Sequence, residues 1–191
     1  IKAVYDEIAV QAAEKDLPAP RLLFSAHGLP EDIIADGDPY QVQCEQSARA
    51  IADKTGIDGL DWVLCYQSRV GPKKWIGPST EDALMVAAAD RVPVIIYPHA
   101  FVSEHVETLV EIEIEYRALA QKQGVPIFAR VPTVGIAPDF IAGLAKMVKN
   151  HKNLRGVSSC GEKRLCPGRC RRCAMALSNK YEMTGTEEKY G

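Results

Sequence analysis

The chain is 191 residues long, 47% hydrophobic and 25% charged, with a formal net charge of −2. That length holds one sizeable domain and an appendage, and the near-neutral charge excludes a nucleic-acid partner held by bulk electrostatics. No run of ~18 uninterrupted apolar residues occurs, so no membrane-spanning helix is expected. No secretory leader is expected either, and an opening on Ile1 within a helical rhythm reads as a fragment whose N-terminal part is missing.

Residues 2–15 have helical periodicity, and "RLLFSA" (21–26) reads as a buried strand. "HGLPEDIIADGDP" follows as a loop punctuated by Gly and Pro, then residues 39–55 return to a helix. "DWVLCYQS" (61–68) is a second strand and "RVGPKKWIGPS" a long loop, after which Ser79 or Thr80 can cap a helix to about Asp90. "RVPVIIYP" (91–98) is a third strand. A helix is expected from Ser103 to about Gly124, then a fourth strand, "VPIFARV" (125–131), and a last helix over 138–151. From Asn153 the chain turns basic, cysteine-rich and then polar.

Strands that alternate with helices predict parallel βαβ crossovers, hence an α/β fold with a doubly wound parallel sheet covered on both faces. Ligands of such sheets bind beyond the carboxyl ends of the strands. That rule gathers His27, the stretch from Gln67 to Trp75, and the stretch from His99 to His105 at one edge. No phosphate-binding glycine fingerprint and no G-x-S-x-G elbow occurs, so nucleotide binding and acyl transfer lack support.

Glu107, Glu111 and Glu115 are spaced four apart, which puts them on roughly one face of a helix. Such a row can pass protons or attract a hydrated cation; it can also be a solvated face, since Glu104 and Glu113 lie nearby and acidic residues favour helix starts. His27 and His105 can each accept a proton or ligate a metal near pH 7, or do neither. His99 and His151 have no pattern behind them.

Several long motifs, taken together, resemble one known family. "SAHGLP" (25–30), "GDPY" (37–40), "YQSRVGPKKWIGPST" (66–80) and "AFVSEHVETLVEIEIEY" (100–116) are similar, in order and spacing, to the C-terminal half of ferrochelatases. The resemblance covers about residues 20–150. It implies two Rossmann-like domains around a porphyrin cleft, this chain supplying the second over residues 1–152 and partnering the missing N-terminal half. It also implies insertion of Fe²⁺ into protoporphyrin IX to form haem. By motif, His27 matches a proton acceptor or iron ligand, Glu107 the carboxylate facing it across the porphyrin, and His105 the histidine beside that glutamate. Glu111 and Glu115 match an acidic path for protons or metal, on a helix that the family winds wide. Ser68, Arg69 and Trp75 match a segment lining the porphyrin, while Tyr66 stands where some members have Trp. The reaction needs a neutral base because two pyrrole N–H protons occupy the centre of the ring.

The tail "CGEKRLCPGRCRRC" places Cys160, Cys166, Cys170 and Cys173 within fourteen residues, amid Lys and Arg. Four thiolates so close suit an iron–sulfur cluster or zinc; disulfides or free thiols are the alternatives. The resemblance implies a [2Fe–2S] cluster, although better-known members draw one ligand from their first half. Cysteines so clustered fit a reducing compartment, which places the protein in the cytoplasm, with peripheral membrane contact compatible. Coproporphyrin III chelation, cobalt chelation and a non-catalytic iron–sulfur or zinc module are the competing functions.

Overall fold

The computed structural model describes residues 1–152, 157, 159 and 163–177. They fall into two compact units: Ile1–Glu31 with Cys44–Gly135, and Asp32–Gln43 with Ile136–Gly191. These units break the chain elsewhere than at the change of composition near residue 153.

In the first unit, four strands form one parallel sheet: β1 (Arg21–His27), β2 (Trp62–Gln67), β3 (Val94–Pro98) and β4 (Phe128–Arg130), in the order β2-β1-β3-β4. The period of two along each strand divides the apolar side chains between two faces. Leu23, Val94 and Ile96 point to a core shared with Leu84, Ile112, Tyr116 and Ala120. Leu22, Phe24 and Ile95 point to the other core, with Tyr5, Ile8, Ala48 and Ala52. Helices α4 (Thr80–Ala89) and α5 (Arg117–Gln123) therefore cover the first face, and α1 (Lys2–Glu14) and α3 (Tyr40–Lys54) the second. Each fully buried Leu, Ile or Phe contributes roughly 1.5–3 kcal/mol, so the two cores dominate the stability of this unit.

Three local readings change. β1 runs one residue further than expected, so His27 is its last residue, in register with Gln67 of β2, rather than the first residue of a loop. The loop after it contains a short helix, α2 (Glu31–Ala35). The helix expected from Ser103 begins only at Glu107; it has the wide winding that the resemblance implied, a π-helix over Glu107–Tyr116, and becomes α-helical in α5, which stops at Gly124 in a left-handed turn. Its buried residues, Thr108, Ile112 and Tyr116, are spaced four apart. That spacing suits either winding, so periodicity alone does not separate π from α.

Helix α4 shows which of two candidate residues caps it. The Ser79 side chain accepts from the Asp82 N–H while Asp82 bonds back to the Ser79 N–H, a reciprocal capping box. Thr80, fully buried, turns its hydroxyl inward instead.

In the second unit, α6 (Pro138–His151) starts with Pro138 in its first turn, where a missing N–H costs nothing. Val42 packs with Cys166, Cys170 and Cys173 in a small apolar cluster joined by Met175 and Ala176.

Candidate active site

The order β2-β1-β3-β4 puts β1 between strands reached in opposite directions, so the loops after β1 and β3 diverge and leave a crevice. His27 ends β1 at this crevice, and the π-helix follows the loop after β3. The His27 ring Nδ1 lies 2.8 Å from Glu107 Oε2, with both side chains partly exposed, so the two meet directly and do not face each other across a porphyrin as the motif implied: no ring fits between groups in hydrogen-bond contact. A proton on Nδ1 directed at the carboxylate leaves Nε2 as the acceptor of the ring. Gly28, next to His27, lets the chain leaving β1 lie close against the loop after β2: a Cβ there would come within 3.1 Å of the Gln67 carbonyl and 3.2 Å of Arg69 Cγ and Trp75 Cε3.

The other expected residues gather around this pair to different degrees. His105 does not touch the Glu107 carboxylate; its Nδ1 accepts the Glu107 backbone N–H at 3.1 Å and so caps the start of the π-helix. Glu111 is held from several sides. The Ser68 N–H donates to it at 2.7 Å, the Ser68 hydroxyl at 2.5 Å, Gln67 Nε2 at 2.9 Å and the Tyr116 hydroxyl at 3.0 Å. Ser68 adopts a left-handed backbone, φ 59, which a non-glycine residue rarely does and which lets both of its donors face one carboxylate. Glu115 is exposed, as is Arg69, and Trp75 is half-buried against Gly28.

Sequence reasoning missed the polar web beneath these groups. Gln67, fully buried, donates also to the Glu107 carbonyl, and its side-chain oxygen accepts from Ser25, which in turn meets the Thr80 hydroxyl at 2.8 Å. The signal was a serine inside the apolar run "RLLFSA": a buried hydroxyl in a central strand requires a partner. Tyr66 is buried too, and burial pushes its phenol upward, with Cys44 and Glu45 adding to the shift. Its hydroxyl finds no hydrogen-bond partner among the described residues. His99 is a core residue: its Nε2 meets Ser47, burial holds its pKa below the ordinary value, and it packs edge-on against Phe24.

In the second unit, Cys166, Cys170 and Cys173 are buried free thiols. Burial pushes the Cys166 thiol up, and its hydrogen bond to Cys173 adds to this. Burial opposes the Cys173 thiolate, but the N–H groups of Met175 and Ala176, the Cys166 thiol and nearby Arg164 together bring its pKa down. Cys160 lies outside the described residues, and among those described no three His, Cys, Asp or Glu side chains close a metal cage.

A model of the family "Ferrochelatase" matches residues 1–152. The chain belongs to the ferrochelatase family. It is 46% identical to the ferrochelatase of Pelagibacter ubique over 160 residues, which are 83% of this chain and 46% of that protein. It is 55% identical to that of Caulobacter vibrioides over 130 residues, 68% of this chain and 37% of that protein. With the ferrochelatase of Rickettsia prowazekii the identity is 43% over 162 residues, 83% of this chain and 47% of that protein. The chain thus spans less than half the length of these curated relatives. The family model's match ends at residue 152, and no helix among the described residues is long and apolar enough to cross a membrane.

Proposed function

We propose that this chain is the second domain of a ferrochelatase, with residues 1–152 as the chelatase domain and 153–191 as a cluster-bearing tail, acting together with an N-terminal domain in the cytoplasm. Its reaction is insertion of Fe²⁺ into protoporphyrin IX, with iron as substrate. The observation that carries this reading is the 2.8 Å contact between His27 and Glu107 at the end of β1. Glu107 holds the His27 ring so that Nε2 faces the crevice as a neutral base. His27 takes a pyrrole proton as iron arrives, and Glu107 stabilises the imidazolium that results. Either group can also steady the incoming iron. His105 fixes the backbone at Glu107, and Glu111 and Glu115 carry protons outward or iron inward. Ser68, Arg69 and Trp75 border the porphyrin.

The test is the full-length protein with Fe²⁺ and protoporphyrin IX, read by the visible spectrum. His27→Ala and Glu107→Gln should each lower turnover by at least ~10²-fold while porphyrin binding survives. Wild-type rates in either variant would overturn the assignment. Turnover of coproporphyrin III alone, or of cobalt alone, would move the protein to one of those chelatases.

For the tail, the donor chemistry fits a cluster: three buried thiols share one small core, one of them with its thiolate favoured, beside Arg164. Cys160, Cys166, Cys170 and Cys173 would hold a [2Fe–2S] centre, which when bound ties the tail together and can store an electron. Anaerobically purified protein should then be brown and contain sulfide, and Cys166→Ser should bleach it while Cys44→Ser does not. Colourless protein holding zinc alone would make the site a structural zinc site.

A further inference from the structure

Glu111 has an outlet other than the exposed Glu115. The Tyr116 hydroxyl lies 3.0 Å from Glu111 Oε1 and 3.4 Å from Oε1 of Glu81, a half-buried residue in the first turn of α4. Glu111 and Tyr116 are five residues apart. A π-turn aligns residues at that spacing, whereas an α-helix of 3.6 residues per turn would swing them about 140° apart. The tyrosine ring itself is fixed in the sheet-side core with Ile112 and Ala120. The hydroxyl therefore stands between the two carboxylates because of the unusual winding and because of core packing.

We propose that Tyr116 relays protons from Glu111 to Glu81, a branch that leaves the Glu107–Glu111–Glu115 row and exits at the start of α4. The step balances without an added reactant. Protonated Glu111 gives its proton to the Tyr116 oxygen as that oxygen gives its own to Glu81 Oε1. Glu111 is left as a carboxylate, Glu81 is protonated, and the tyrosine stays neutral throughout. Burial, reinforced by both carboxylates, keeps the phenol from ionising. Glu81, half-buried in the first turn of α4, then passes the proton to solvent. Tyr116 is buried in the core and Glu81 lies on α4, so their role is to move protons and to position Glu111.

This inference rests on the chelatase reading, and two measurements on the full-length protein keep the two apart. The first needs no substrate: carboxyl resonances of ¹³C-glutamate protein are followed through a pH titration. Glu111 and Glu81 should titrate as a coupled pair in the wild type and independently in Tyr116→Phe. The second is kinetic. Tyr116→Phe and Glu81→Gln should each lower kcat about tenfold, less than loss of the base itself, with KM within about twofold, and the double variant should be no slower than either. A residue that merely packs would leave the titration coupled and Glu81→Gln at the wild-type rate, and either result overturns the relay, as does multiplication of the two losses. Coupled titration in a full-length protein that inserts no iron would sink the chelatase reading and the relay's role in it, while leaving the contact between the carboxylates intact.

Discussion

Glu104 and Glu113 share a short stretch of chain with Glu107 and Glu111, and the fold treats the two pairs in opposite ways. Arg130 bonds Glu104 at 2.9 Å and Glu113 at 3.0 Å, and Arg117 holds Glu113 again while its guanidinium lies over the Phe128 ring. The Thr133 N–H closes on Glu104 as well. By contrast, Glu107 is paired with a histidine, and Glu111 with hydroxyls, an amide and a backbone N–H. An arginine never gives up its proton, so it offers a carboxylate charge but no proton to exchange, whereas an imidazole can offer both. On the proposed reading, the same residue type serves as structure where it meets arginine and takes part in the chemistry where it meets an imidazole or a relayed proton.

The contrast can be broken by exchanging roles. The largest effect is expected from Glu107→Gln in the full-length enzyme, with turnover down at least ~10²-fold and little change in melting temperature, whereas Glu113→Gln should do the reverse. A collapse of activity in Glu113→Gln at unchanged stability would erase the division. Next, Arg130→Met should destabilise the fold by about 1 kcal/mol in urea unfolding, because the half-buried Glu113 and the exposed Glu104 lose a shared donor. A smaller effect concerns pH. Burial alone would raise the Glu104 carboxyl, but the Thr133 N–H, Arg130 and Thr108 outweigh it and hold it below the ordinary 4.5. A depressed carboxylate contributes stability that is fully present above its unfolded pKa and is lost as pH falls through the folded value. Melting temperature should therefore decline below about pH 4.5 in the wild type, and Arg130→Met should flatten that decline. An unchanged acid limb in the variant would mean that Arg130 does not set the Glu104 titration. The smallest effect should come from Gly28→Ala, which presses a methyl on the rigid Gln67 carbonyl and shifts His27 by a few tenths of an ångström, costing activity before stability.

What the sequence determined by itself was everything governed by local periodicity and chain order. Apolar runs bounded by Gly and Pro marked four strands, their alternation with helices required parallel pairing, and the rule for open parallel sheets located His27 and the stretches from Gln67 to Trp75 and from His99 to His105 at one edge. What only the tertiary structure decided were the partners of each polar group. An apolar stripe at spacing four fits both windings, so periodicity left the π-helix open; the resemblance alone implied it, and the fold shows it over Glu107–Tyr116. Ser68, Gln67 and Tyr116 converge on Glu111 from two parts of the chain far apart in sequence. Arg130 reaches Glu104 and Glu113 only because β4 lies beside β3. The physical reason is range: hydrophobic periodicity is written into neighbouring residues, whereas the state of a carboxylate depends on whatever donor the sheet brings within about 3 Å, and that is set by strand order.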